Sequence, residues 1–276
     1  MNTRTIGLLV LAAALAACAT SPTGRRQLSL VSEESAISAS KEAYLTQMND
    51  LGKSGKLVSN AAITGRVDRI TSRLVAQAIT VRPETQMWEW SVEVIDDPET
   101  VNAWCMAGGR MAVYTGLLEK IMPSDDELAQ VMGHEIGHAL ANHTAERMSV
   151  AMATNLGVAA AGLFSKNSVA TMSATALAAQ YAVQLPNSRT SESEADQIGI
   201  ELAAKAGYDP AAAISLWQKM EQVSGAGPPQ FLSTHPSPAN RQQKLAELGP
   251  KMRPFYEQAK AGTPPTFPIQ AVDIPR

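Results

Sequence analysis

The chain has 276 residues, 45% of them hydrophobic, enough for one substantial core or for one core with a small appendage. A net charge of −3, with no basic stripe and no interleaving of basic and aromatic residues, gives no footing for a nucleic-acid partner. Few aromatics (5%) and abundant alanine point to an α+β, mainly helical protein.

The opening stretch, "MNTRTIGLLVLAAALAAC", has a positive start at Arg4, an apolar run from Ile6 to Ala17 and then a cysteine. The run is short for a membrane-spanning helix and reads as a signal peptide over residues 1–17. "LAAC" (Leu15 to Cys18) resembles the lipobox of bacterial lipoproteins, which implies cleavage before Cys18 and acylation of that cysteine; the alternative is an ordinary signal peptide with a chance Cys. Acyl chains anchor durably, since each buried methylene contributes ~0.8 kcal/mol. Ala19, not Asp, follows Cys18, which by the usual sorting pattern directs the protein to the outer membrane of a Gram-negative envelope, facing the periplasm. With Cys18 lipidated, Cys105 is the only thiol left and no intrachain disulfide forms.

Residues 18–28, lipidated Cys then "ATSPTGRRQL", read as a tether ahead of a main domain over 29–256. Helices are expected from Ser32 to about Asp50 and from about Asn60 to Ile79, the second with Ile63, Val67, Ile70, Leu74 and Ala78 at helical spacing. In "MWEWSVEVI" the period changes to two, so Trp88, Trp90, Val92 and Val94 form one buried face of a strand. "NAWCMAGGRMAVYTG" (102–116) reads as two strands joined at Gly108-Gly109. Then Ser124 and Glu127 form a capping-box pattern, with Asp125 and Asp126 at the positive end of the dipole, and open a helix from about Asp125 to Arg147. The alanine-rich segment 148–184 reads as two helices on the core, or as a lid or membrane-surface contact. A further helix spans 188–207; another begins at Ser237-Pro238, carries Arg241 and ends before Gly249. The proline-punctuated tail, 257–276, is not expected to carry core.

The chemistry lies in "VMGHEIGHAL" (131–140), which holds two of the chain's four histidines. On a helix, His134 and His138 project from one face and can converge on a single zinc ion, with Zn–N distances of ~2.0–2.1 Å. Glu135 lies about a third of a turn around, placed to bond water at the metal rather than the metal itself. This is the His-Glu-x-x-His pattern of zincins. A third ligand should come from "SRTSESEADQIGIELAAKAG", which offers Glu192 and Glu194. Asp196 stands one turn after Glu192, so Glu192 can ligate while Asp196 accepts the other ring N–H of a histidine. Glu194 points elsewhere and is expected in solvent. Gly133, Gly137, Ala195 and Gly199 would let the two helices approach closely. His143, with Glu146 and Arg147, lies more than a turn beyond His138 and reads as structural or solvated.

His-Glu-x-x-His followed by Glu-x-x-Ala-Asp resembles the HtpX/LoiP branch of the CaaX-protease-like zinc metallopeptidases. "TGRRQLSLVS", "NAWCMAGGRMAVYTGLL" and "LSTHPSPANR" extend the likeness over most of residues 23–248; Ala107 stands where relatives commonly carry Pro. The resemblance implies a zincin-like fold with a small sheet beside the active-site helix, whose edge strand binds extended substrate. The platform is then 102–114, with Asn102, Ala103, Gly108 and Gly109, and Arg241 as a further substrate contact. One Zn²⁺ per chain would polarise the scissile carbonyl and lower a water's pKa toward ~7. Glu135 would take the proton and pass it to the leaving amine. His235 would donate to the oxyanion, occupy the fourth zinc position at rest, or serve only its loop. The expected function is a lipid-anchored endopeptidase for unfolded or misassembled envelope proteins, in contact with outer-membrane assembly components. The alternatives are a chaperone-like assembly factor whose zinc site regulates binding, or an inactive scaffold.

Overall fold

The computed structural model describes residues 18–162, 188–223, 230–236 and 240–275, with side chains left out at Cys18 and 155–162. The signal peptide and most of the alanine-rich segment therefore lie outside the described residues.

An N-terminal hairpin pairs β1 (Cys18–Thr20) with β2 (Arg26–Leu28). Two long helices follow, α1 (Glu33–Lys53) and α2 (Ala61–Val81), started by side-chain caps from Ser32 and Asn60. A three-stranded sheet has the order β3 (Ser91–Ile95), β5 (Arg110–Tyr114), β4 (Ala103–Cys105), parallel for β3–β5 and antiparallel for β4–β5. The remaining helices are α3 (Thr115–Lys120), α4 (Asp125–Leu140), α5 (His143–Gly162), α6 (Arg189–Lys205), α7 (Ala212–Gln222), α8 (Gln230–Thr234) and α9 (Arg241–Ala261).

The period-two pattern of the strands divides the core in two. Ala103, Cys105, Met111 and Val113 face a large cluster with α2 and α4, including Ile70, Leu74, Leu128 and Met132. Trp104, Met106, Ala112 and Tyr114 face a second cluster with Ala43, Tyr44 and Met48 of α1. With a helix layer on each face, all five residues of β3 are buried. The expected strand with one wet face is therefore corrected: α1 covers the side on which Glu93 lies, and Glu93 is 4% exposed.

The hairpin turn forms as the glycine pair predicts, without a proline at Ala107. Gly108 and Gly109 have φ of +85° and +82°, and a Cβ on Gly109 would stand 2.5 Å from the Trp90 ring. Both glycines thus serve the turn and its packing on Ile37 and Trp90.

The tail also departs from expectation. Helix α9 runs through Gly249, Pro250 and Pro254 to Ala261. Beyond it, Phe267 N–H donates to Ser72 O (3.0 Å) and Gln270 N–H to Trp90 O (2.8 Å). Phe267 and Ile269 pack on the large cluster, Val272 and Ile274 on the second. Together with the Lys56–Val58 segment, which bonds Val94 and Asp96, the tail covers the β3 edge. Edge strand β4 lies beside α4 instead. Asn102 and Met106 bond β5, so the backbone groups of Ala103 and Cys105 point outward along that edge. Among the described residues, no helix is long and apolar enough to cross a membrane.

Candidate active site

Helix α4 starts as its sequence predicts: Glu127 N–H donates to Ser124 Oγ, and Ser124 N–H to the Glu127 carboxylate. Lys219 Nζ also reaches Glu127, at 2.6 Å. From Glu127 to Leu140 every residue is buried, so the helix is the centre of the molecule rather than a surface element. It crosses α6 at glycines. A Cβ on Gly133 would meet Gly199 O at 2.8 Å, and one on Gly199 would meet His134 N at 2.7 Å. That contact brings the carboxylates of α6 to the histidines of α4.

Donor atoms of His134, His138, Glu192 and His235 all lie within 4.8 Å of one another, and all four residues are buried. His134 Nε2 and His138 Nε2 are 3.1 Å apart. The Glu192 oxygens stand 3.3 Å and 3.2 Å from them, and His235 Nδ1 stands 3.1 Å from Glu192 Oε1 and 3.3 Å from His134 Nε2. These separations fit a tetrahedral metal: donors at ~2.0–2.1 Å from a common centre are about 3.3 Å apart. Two imidazole lone pairs converging with a carboxylate oxygen on one point also call for a cation there. Burial would raise the Glu192 carboxyl, but His235, His134 and His138 hold it well below the usual carboxylate range, so the site keeps its negative ligand.

Glu135 is buried, and its Oε1 has no hydrogen-bond partner among the described residues. His235 Nε2 lies 3.4 Å from that oxygen. Burial raises the Glu135 carboxyl above its ordinary value against the pull of His235 and His134. Cys105 is buried nearby, and burial and the Glu135 charge push its thiol well up, which leaves it protonated and unreactive.

Asp196 Oδ1 lies 3.0 Å from His134 Nδ1, the expected arrangement. Arg241, read from the sequence as a substrate contact, is placed otherwise. It is 2% exposed, donates to Asp196 (2.6 Å) and Glu192 (3.2 Å), and lies 3.6 Å over the Trp217 ring. The carboxylates of Glu192 and Asp196 and the Trp217 ring hold it in place beside the donor cluster.

Two further expectations are corrected. The helix does not run to Arg147. Asn142 adopts φ 55°, a left-handed joint that asparagine tolerates, and Arg82 caps Leu140 O at 2.7 Å. Helix α5 restarts at His143 and turns that residue, fully buried, back onto His138. Glu194 points away from the donor cluster, as helix geometry requires, but not into solvent. It is 5% exposed and bonds His143 and the N-terminal hairpin. The sequence held one signal for this, an Asn at the joint followed by the third histidine, His143.

Three comparisons bear on this geometry. Over 175 residues the chain is 38% identical to the mitochondrial metalloendopeptidase OMA1 of Arabidopsis thaliana, covering 63% of this chain and 35% of that protein. It is 33% identical over 231 residues to the OMA1 of Schizosaccharomyces pombe, 82% of this chain and 65% of that one. With the beta-barrel assembly-enhancing protease of Yersinia pestis it shares 29% identity over 221 residues, 76% and 43% of the two chains. The chain thus spans less than two thirds of each of these relatives. The family model for peptidase family M48, whose members depend on zinc, matches residues 61–248, a span containing all four clustered donors and Glu135, and the chain belongs to that family.

Proposed function

We propose that the protein is a zinc endopeptidase, anchored by a lipid on Cys18 to the periplasmic face of the outer membrane, that degrades unfolded or misassembled envelope proteins. The observation that carries this reading is the four-donor cluster next to a buried carboxylate with an unpaired oxygen. His134, His138 and Glu192 would hold the metal, with Asp196 orienting His134. Zinc there supplies a Lewis acid that polarises the scissile carbonyl and acidifies water. Glu135 accepts the proton and returns it to the leaving amine. The outward carbonyl of Ala103 and the outward backbone groups of Cys105 would offer an extended substrate a strand to pair with, reading little of its side chains. Asn102, whose Oδ1 accepts from Ala103 N–H at 3.0 Å, shapes the start of that edge.

The substrate class takes support from the relatives, metalloendopeptidases and a beta-barrel assembly-enhancing protease. The last of these also favours the second reading, an assembly factor in which zinc regulates binding. Chelator-sensitive cleavage of an unfolded protein by the purified chain decides between them. Binding that responds to zinc without cleavage would leave only the assembly role. The finer placement, with lipoprotein proteases of the HtpX/LoiP type, rests on "LAAC" and "TGRRQLSLVS". Cys18→Ala is expected to abolish lipid labelling and release the protein from sedimenting membranes. Full retention of that variant on membranes would shift anchoring to the segment 148–184.

His235 sits in the cluster, so among its candidate roles we favour the resting one, as an imidazole in the fourth position. Phe231, on the short helix α8 that ends just before His235, stacks on its ring at 4.4 Å and donates its backbone N–H to Val101 O, ahead of the β4 edge. One segment therefore touches both the metal position and the chain leading into β4. His235→Ala is expected to raise cleavage or remove a lag while zinc stays bound. A fall in kcat of ~10²–10³ with zinc retained would instead make His235 an oxyanion donor.

A further inference from the structure

His143 and Glu194 are buried ionisable residues that the reaction above does not use. His138 Nδ1 lies 2.7 Å from His143 Nδ1, and His143 Nε2 lies 3.1 Å from Glu194 Oε2. Proton bookkeeping gives this chain one direction. When His138 offers its Nε2 lone pair to a metal, its ring proton sits on Nδ1. That N–H donates to His143 Nδ1, which must then be bare. His143 carries its own proton on Nε2 and donates it to Glu194.

Glu194 is held in turn by the N-terminal hairpin. It accepts from Ser21 Oγ, from Thr23 Oγ1 at 2.5 Å and from Arg25 Nε at 2.6 Å. The two remaining nitrogens of Arg25 grip the Glu146 carboxylate at 2.7 Å and 2.6 Å. Gln27 Nε2 donates to Ala141 O at 2.6 Å. The hairpin thus clamps the joint between α4 and α5, where His143 is set against His138. What reads in the sequence as a tether is part of the site's support.

We propose that His143 and Glu194 are positioning residues for the metal ligand His138, and that the hairpin of residues 18–28 locks them, so that its seating sets metal affinity. The inference rests on the zinc reading above. Asp196 does for His134 directly what Glu194 does for His138 through one more imidazole. Removing such outer partners typically costs 10–100-fold in metal affinity.

The test is the zinc Kd of the full chain by competition with a chromophoric chelator, with the absorption spectrum of the cobalt-loaded protein. His143→Phe and Glu194→Gln are expected to weaken zinc by ~10–100-fold and to shift the cobalt bands. Arg25→Gln and the Ser21→Ala/Thr23→Val pair are expected to move both readouts in the same direction by a smaller factor. A merely structural role would lower Tm and leave the Kd of the folded protein unchanged, which would overturn the proposal. If the two buried variants fail to fold, the hairpin variants decide it, since Thr23 and Arg25 reach solvent, and an unchanged Kd in both overturns it equally. A wild-type chain that takes up no zinc would be seen before any variant and would remove the metal reading along with this one.

Discussion

Glu135→Gln is expected to keep near-stoichiometric zinc and to lower cleavage of an unfolded protein by ~10²–10⁴-fold or more, while Glu192→Ala is expected to lose most of its zinc. The two glutamates occupy one buried site but meet different partners. Glu192 oxygens lie 3.2–3.3 Å from both His134 Nε2 and His138 Nε2, and Arg241 braces the same carboxylate. Alanine there removes the cluster's one negatively charged donor, leaving imidazoles alone, and a buried guanidinium short of one partner. Glu135 Oε1 makes no hydrogen bond, with His235 Nε2 3.4 Å away, so glutamine conserves the packing and removes the basicity. Zinc content after gel filtration through chelator, beside turnover of an unfolded substrate, separates the two. Loss of metal from Glu135→Gln would make Glu135 a ligand and undo the assignment. Metal stripped fully by a Glu194 substitution but not by Glu192→Ala would undo the choice of third donor.

What the sequence made legible is what helical geometry settles locally. His134, His138, Glu192 and Asp196 each depend on a spacing of one turn within a single helix, and the structure brings these four together. The capping box at Ser124 and the glycine turn at 108–109 are equally local. What stayed hidden depends on tertiary partners. Asn142 looks harmless inside a helical pattern until Arg82 caps Leu140 and Glu33 bonds the Asn142 side chain at 3.1 Å, ending the helix there. Glu194 looks solvated until residues 170 positions away fold over it, Ser21 and Arg25 among them. Arg241 looks like a substrate contact because a charged side chain beside a histidine loop is usually exposed; here Asp196 and Glu192 compensate its charge in the interior. The second face of β3 was hidden for the same reason, since only the docking of α1 buries it.

Gly199→Ala separates local propensity from tertiary packing by sign. In an unconstrained helix the change should stabilise by ~1 kcal/mol. At Gly65, in the second turn of α2, an added Cβ meets nothing within 4 Å, and Gly65→Ala is expected to raise Tm accordingly. At Gly199 the same methyl would stand 2.7 Å from His134 N, 2.8 Å from Gly133 C and 2.8 Å from His134 Cα. All three obstacles are backbone, so no rotamer change relieves them and α4 and α6 must part. Overpacking of this kind costs ~1–3 kcal/mol, occasionally more, and here it outweighs the propensity gain. The displaced atoms belong to a proposed metal ligand, and Glu192 stands two turns earlier on the helix that is pushed away. Gly199→Ala is therefore expected to lower Tm and weaken zinc together, and Gly199→Val, with two more methyls aimed at the same backbone, to abolish zinc uptake. Thermal unfolding of the metal-free protein beside the zinc Kd checks both. A Gly199→Ala protein that melts above wild type, as Gly65→Ala should, would mean that the helix crossing is looser than these contacts require, and that something other than the glycine pair holds Glu192 to the histidines.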